Sequence, residues 1–294
     1  MSWRFSTQGR GELRRAVAPD GEPLRRQAGV MMTHTNPDSL LLEELSTVQV
    51  GALIADGYET VIVPLGATEQ HGPALPLLVD NEHGMQTALR AARILGKTLV
   101  GPVVTMGHSP EHMAFAGTIS LSKATMMGLL HDIAESHASS GFRMVYFWIA
   151  HGGNNAVLQE VLPLLESKWP GCYVTGLRDL AAYISSTWDR APLERGVPLS
   201  ISGSHAGEFE TSMMLAARPE LVHMHAAEAG NPAPFDAIAT MLMRDGIDAV
   251  SVNGVLGDQR GADAERGEFY LDQLASYLAG DLKRACQQAK RSLL

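Results

Sequence analysis

The chain has 294 residues, of which 45% are apolar and 19% charged, with a formal net charge of −9. That is apolar material for one large α/β domain or two small ones, and the acidic balance argues against nucleic acid or an anionic membrane surface as partner. No stretch approaches the roughly 18–20 apolar residues of a membrane span, and the charge, below the roughly 25% usual in soluble domains, points to surface covered by subunit contacts.

Residues 1–34 are rich in Arg and Gly and hold no apolar core of the signal-peptide kind. They are expected to form a flexible N-terminal extension, with Met31 or Met32 as alternative starts, ahead of a single domain over 35–294. Helical spacing of Leu and Val follows over 41–53, with Ser46 and Thr47 as a cap. The run Val61-Ile62-Val63-Pro64-Leu65-Gly66 reads as a buried strand. A helix is predicted from Asn81 through Arg93, a strand over 98–105, a helix over 122–137 and a second apolar strand over 143–150. A helix over 156–168 and a short strand over 172–175 complete an alternation that predicts a mostly parallel sheet with helices on both faces. After Asp179 the pattern weakens through Pro192 and Pro198 and reads as a long surface excursion. A helix opens near His205 and ends at Pro219, 253–267 is a Gly/Asp-rich loop, and 268–290 is an amphipathic terminal helix. Cys172 and Cys286 form neither a disulfide framework nor a Cys-x-x-Cys motif, which fits a reducing cytoplasm.

Both strongly apolar strands end in chemistry. Glu69-Gln70-His71-Gly72 follows the first, with Asp80 nine residues past the histidine, and His151-Gly152-Gly153-Asn154 follows the second. Open α/β sheets bind ligands at these carboxyl ends. Residues two apart in an extended segment share a side, so Glu69 and His71 can face one cavity. The two oxygens of Asp80 can bridge two cations, which in two-metal hydrolases lie roughly 3.5–4 Å apart. His151 adds a nitrogen, and Gly152 and Gly153 let the backbone pass closely beside it. The segment His205-Ala206-Gly207-Glu208-Phe209-Glu210-Thr211-Ser212 offers an imidazole for proton transfer and two carboxylates, either of which can close a second metal site. His112 or Glu111, after a strand, can line the pocket, and Gly153 and Asn154 are placed there too as substrate contacts. His131 and His137, on a helix of mixed polarity, are expected to be solvated.

Taken together and in this order, these motifs resemble the creatininase (creatinine amidohydrolase) family over residues 45–282. The resemblance rests on Pro64-Leu65-Gly66-Ala67-Thr68-Glu69-Gln70-His71-Gly72-Pro73, Asp80, Glu111-His112-Met113-Ala114-Phe115-Ala116-Gly117-Thr118, His151-Gly152-Gly153-Asn154, the 205–212 segment and Gly254-Val255-Leu256-Gly257-Asp258. It implies a three-layer α/β/α fold with a mostly parallel central sheet, a dinuclear centre and a homohexamer. By analogy Glu69, Asp80 and His151 hold one metal, and His71 and Asp80 the other. In creatinine-hydrolysing members a Tyr-Glu pair follows the histidine matched by His151, and that glutamate is the last ligand of the second metal. Here Gly152 and Gly153 stand there, so Glu210 is expected to replace it, with Glu208 as the competing choice. The pocket tryptophans of those members have no counterpart apart from Trp188, and Ala74 stands where many relatives place a histidine, so creatinine is not the expected substrate. Members with the Gly-Gly form include a formamide-cleaving deformylase, a peptidase and hydrolases of cyclic sugar-derived ketones.

The expected function is metal-dependent hydrolysis of a C–N amide-type bond in a small polar substrate, with hydroxide generated between two divalent cations as nucleophile. Zn²⁺ leads, and Mn²⁺ or Fe²⁺ also suit mixed His/carboxylate ligation. His205 donates a proton to the leaving nitrogen and Glu208, beside it, orients the imidazole. The alternatives are a hydrolase opening a cyclic ketone or lactone of sugar origin, and a non-catalytic protein whose metals only tie loops together.

Overall fold

A computed structural model describes residues 37–292; the extension expected over 1–34 lies outside the described residues. Four parallel strands, β1 (Thr60–Leu65), β2 (Thr98–Val100), β3 (Met144–Ile149) and β4 (Tyr173–Gly176), lie in the order β2-β1-β3-β4. Val61, Ile62, Val63, Leu65 and Val145 to Trp148 are fully buried, because helices cover both faces of the sheet.

The crossovers explain the layers. The connection from β1 to β2 runs one way along the sheet through α2 (Val79–Leu95). Those from β2 to β3 and from β3 to β4 run the other way, through α3 (Lys123–Ser140) and α4 (Asn154–Leu165). Right-handed crossovers travelling in opposite directions put their helices on opposite faces. Accordingly α3 packs on α4, while α2 packs with two later helices, α8 (Glu208–Ala217) and α10 (Ala264–Ser292). The result is the expected three-layer α/β/α arrangement. The direction reverses between neighbouring β1 and β3, and such a switch point opens a crevice at the strands' carboxyl ends. Both ligand-bearing loops emerge there.

Local signals set most boundaries. Ser46 caps α1 (Thr47–Ala55) in a reciprocal capping box with Gln49, and the Ser122 hydroxyl accepts the Thr125 N–H at the start of α3. β2 stops at Val100 instead of running to 105, since Gly101-Pro102 interrupts the ladder before a lone bridge from Leu65 to Val104. The excursion after Asp179 is not coil: it folds as α5 (Leu180–Ser186), α6 (Arg190–Glu194) and α7 (Leu199–Ser202). Pro192 falls in the first turn of α6 and Pro198 precedes α7, positions that lose no intrahelical hydrogen bond. A further helix, α9 (Phe235–Asp245), has no counterpart in the sequence reading. His137 is not solvated; it packs edge-on against Phe142, and burial lowers its pKa to about 4. Among the described residues no helix is long and apolar enough to cross a membrane.

α8 and α10 touch backbone to backbone. A Cβ on Gly267 would lie 1.9 Å from the Ser212 carbonyl oxygen, so only glycine permits this approach. Beside it the Glu208 carboxylate accepts hydrogen bonds from Ser212 Oγ (2.7 Å), Arg266 Nε (2.7 Å) and Tyr270 Oη (3.1 Å). Gly267→Ala is expected to destabilise the fold by about 1–3 kcal/mol, the usual cost of overpacking. Urea unfolding measures it, and an unchanged midpoint would show that the two helices can part freely.

Candidate metal centre

Six acidic and imidazole side chains meet in the crevice between β1 and β3. Glu69 and His71 come from the loop after β1, which the Glu69 N–H closes by bonding the Leu77 carbonyl. Asp80 sits in the first turn of α2, and His151 follows β3 directly. Glu210 comes from the first turn of α8 and His205 from the segment just before it. Asp80 and Glu210 both lie where a helix dipole favours negative charge.

Their ligand atoms form overlapping trios. Glu69, Asp80 and His151 lie within 4.8 Å of one another, as do His71, Asp80 and Glu210; Asp80 is common to both. A third trio joins Glu69, His71 and His205. In the first, His151 Nδ1 is 3.2 Å from Glu69 Oε1 and 3.6 Å from Asp80 Oδ2. In the second, His71 Nε2 is 3.6 Å from both Asp80 Oδ1 and Glu210 Oε1. Both oxygens of Glu69, Oδ2 of Asp80 and Nε2 of His71 are buried without a hydrogen-bond partner. Buried polar atoms are rarely left so. Spacings near 3.6 Å exceed a hydrogen bond but match the edges of a coordination polyhedron with about 2.0–2.2 Å bonds. This donor set therefore fits divalent cations.

Backbone carbonyls fix the imidazoles. His71 Nδ1 faces the Glu69 carbonyl at 3.1 Å, so its proton sits there and Nε2 is free to ligate. His151 Nε2 lies 3.2 Å from the His108 carbonyl and 3.2 Å from Ser109 Oγ, which frees Nδ1. His205 Nε2 faces the Gln70 carbonyl at 2.8 Å, leaving Nδ1 3.9 Å from Glu69 Oε1. Such outer partners set tautomer and ring orientation at metal sites. The Glu210 carboxylate is held the same way, its Oε2 accepting the Ala206 N–H. Ala206 adopts a left-handed φ of 55°, a strained conformation for a residue with a Cβ and one that clusters at functional sites.

Charge compensation dominates the electrostatics. Burial raises the Glu69 pKa against the pull of His151. Burial opposes a charge on His71, but Asp80 and Glu210 outweigh it and hold this imidazole well above its usual range. His151 is likewise opposed by burial, yet Glu69, Asp80 and Glu111 bring it up to about 10. Burial also works against a charged Asp80 and Glu210, but the neighbouring imidazoles keep both carboxyls below their ordinary values. His205 goes the other way: burial and His71 lower it to about 4. His112 is lowered too, by burial and then by His205 and His151.

Two expectations need correcting. Glu208 does not sit beside His205, because its carboxylate is committed to Ser212, Arg266 and Tyr270 on the α10 side. Asn154 is not a substrate contact. It is fully buried and clamps three backbone groups, donating to the Leu65 and Gly66 carbonyls and accepting the His108 N–H. Gly153 keeps its place beside the cluster as a bare backbone: a Cβ there would lie 2.4 Å from His151 Nε2 and 2.8 Å from Glu111 Oε1. His112 does join the cluster, its Nε2 3.4 Å from Glu69 Oε1.

Two participants escaped the sequence reading. Gln70 Nε2 lies 3.0 Å from both His112 Nδ1 and His205 Nε2 and 3.2 Å from the Gly254 carbonyl, so this one amide ties both imidazoles to the loop that carries Gly254. His83, one helical turn past Asp80, brings Nε2 to 3.4 Å from Asp80 Oδ1. Its i,i+3 spacing from Asp80 was the one available signal.

The creatininase family model, described as creatinine amidohydrolase, matches residues 43–282. A mycofactocin precursor peptide peptidase of Mycobacterium ulcerans is 33% identical over 242 residues, covering 77% of this chain and 85% of the relative. A creatinine amidohydrolase of Pseudomonas putida is 28% identical over 262 residues, covering 83% of this chain and 96% of the relative. A solved structure titled "Creatininase Mn" superposes with a TM-score of 0.70 at 27% identity, over 84% of this chain and 98% of that one. A mutant creatininase of Zn-Zn type gives 0.69 at 26%, with the same coverage. With its four-stranded parallel sheet between two helical layers and the family model spanning most of its length, the chain belongs to the creatininase family of hydrolases.

Proposed function

We propose that the protein is a dinuclear metal-dependent amidohydrolase that cleaves a C–N amide-type bond in a small polar substrate. The observation that carries this reading is the shared carboxylate: Asp80 directs one oxygen to the Glu69–His151 side and the other to the His71–Glu210 side. Glu69, Asp80 and His151 hold one divalent cation, and His71, Asp80 and Glu210 the other, with Zn²⁺ or Mn²⁺ consistent with the titles of the solved relatives. Two such cations supply Lewis acidity, lowering the pKa of water toward about 7 and polarising a carbonyl. A peptide amide is favoured over creatinine, since the peptidase is the more similar of the two named relatives and the Tyr-Glu pair is replaced by Gly152-Gly153. The catalytic domain is read as residues 35–294, in a cytoplasmic homohexamer.

His205 is the proton carrier in this reading. With Nε2–H committed to the Gln70 carbonyl and the ring neutral, Nδ1 takes a proton from the attacking water and returns it to the leaving nitrogen. Gln70, not Glu208, orients that ring. His112, held neutral by burial and tied to Gln70, brings Nε2 to 3.4 Å from Glu69 Oε1.

Asp80→Asn is expected to remove both cations, measured by elemental analysis, and to lower turnover at least about 100-fold. His205→Asn is expected to keep the metal content while kcat falls about 10²–10⁴-fold. Released amine from a panel of short peptides, formamides and lactones identifies the bond, and ring-opened acid without nitrogen would instead support the ketone or lactone reading. Because His71 and His151 are held protonated by their carboxylate neighbours, each cation must displace a proton. Metal affinity is therefore expected to rise at least about tenfold per pH unit between pH 6 and 8, and chelator competition showing a flat profile would mean the imidazoles are already neutral.

A further inference from the structure

His83 is 1% exposed, yet neither ring nitrogen has a hydrogen-bond partner. Leaving a buried polar atom unpaired costs about 1–3 kcal/mol, so an imidazole in this state needs an explanation. Its surroundings offer no ordinary one. The ring packs edge-on against Trp188 at 6.2 Å, and the indole N–H is already given to Tyr183 Oη at 3.0 Å. The nearest acceptor, Asp80 Oδ1, is 3.4 Å from Nε2, too far for a good hydrogen bond.

What His83 does share is a pair of oxygens. Its Nε2 lies 3.4 Å from Asp80 Oδ1 and 4.0 Å from Glu210 Oε1. His71 Nε2 is 3.6 Å from the same two atoms. Two nitrogens thus face the same two carboxylate oxygens, along four edges of 3.4–4.0 Å. Tetrahedral ligands at about 2.0–2.1 Å from a cation lie about 3.3–3.4 Å apart; the His83–Asp80 edge already has that length, and the His83–Glu210 edge at 4.0 Å must shorten most. That movement is within reach of side-chain torsions.

We propose that His83 is a fourth protein ligand of the second cation, beside His71, Asp80 and Glu210. The inference rests on the two-cation reading above and adds an asymmetry to it. With His83 added, the His71 site would offer two nitrogens and two oxygens and be closed by protein, as structural sites are, whereas the Glu69–Asp80–His151 site would keep three protein ligands and an open position. The open position beside Glu69, Asp80 and His151 would leave room for a substrate carbonyl, while His71, His83 and Glu210 would fix the far oxygen of Asp80.

The test is metal binding by the full chain, stripped and reloaded with Zn²⁺ or Co²⁺, for the wild type, His83→Gln and His83→Ala. Both variants are expected to keep one tight ion and to lose affinity for the second by more than the roughly 10–100-fold that removal of an outer-shell partner brings. The visible absorption of the second Co²⁺ is expected to weaken as water replaces the imidazole, and millimolar imidazole is expected to restore it in His83→Ala. Two ions bound by both variants with wild-type affinity and an unchanged Co²⁺ spectrum would overturn the proposal while leaving the two-cation reading intact. A wild-type protein that binds fewer than two ions would instead sink that reading and the proposal with it.

Discussion

Three carboxylates, those of Glu69, Asp80 and Glu210, are buried within a few ångströms of the same imidazoles, and this concentration of negative charge is the constraint around which the rest is arranged. Removing each from water costs several kcal/mol even after relaxation. Positive charge at close range offsets that cost. His71 and His151 supply part of it by holding protons that free histidines would release, and the N-terminal turns of α2 and α8 supply partial charges beneath Asp80 and Glu210. Divalent cations would supply more, from a smaller volume. The family relationship and the electrostatics thus point the same way, although they rest on different observations.

A single device recurs among the imidazoles. His71, His151 and His205 each face a main-chain carbonyl with one nitrogen, of Glu69, His108 and Gln70 respectively, and turn the other inward. Main-chain carbonyls are positioned by the loop path and not by a side-chain rotamer, so ring orientation is inherited from the fold. This explains why the loop after β1 is tied down so heavily. Gln70 alone engages His112, the Gly254 carbonyl and the Gly72 N–H, and Gln259 Nε2 donates to the His71 carbonyl.

Much of this was readable from the chain because it is local. Two apolar runs ending in Glu69-x-His71 and His151 announce both the central strands and the ligands at their tips. Glu208 and Glu210 could not be separated, because residues two apart on a helix point to different sides and the sequence does not say which side meets the crevice. The structure turns Glu210 inward and gives Glu208 to Arg266 and Tyr270. Asn154 misled for a similar reason: a polar residue after a ligand motif suggests substrate, but its amide is fully engaged by backbone. The excursion after Asp179 was misread because proline was counted as a breaker, whereas helix starts tolerate it. His83 stands in Asp80-Asn81-Glu82-His83, where only its i,i+3 spacing from Asp80 sets it on the side of the crevice.

The crevice draws on the loop after β1, the start of α2, the end of β3 and the head of α8, so its members span from Glu69 to Glu210 along the chain. Closing loops of that length carries an entropic cost that local contacts cannot repay, and bringing like charges together adds nothing in return. The acidic cluster is therefore held together by the sheet and helices that carry it, and not by attraction among its own carboxylates. A change that loosens α2 or α8 would reach the crevice as surely as one made within it, because each carries one of these carboxylates in its first turn.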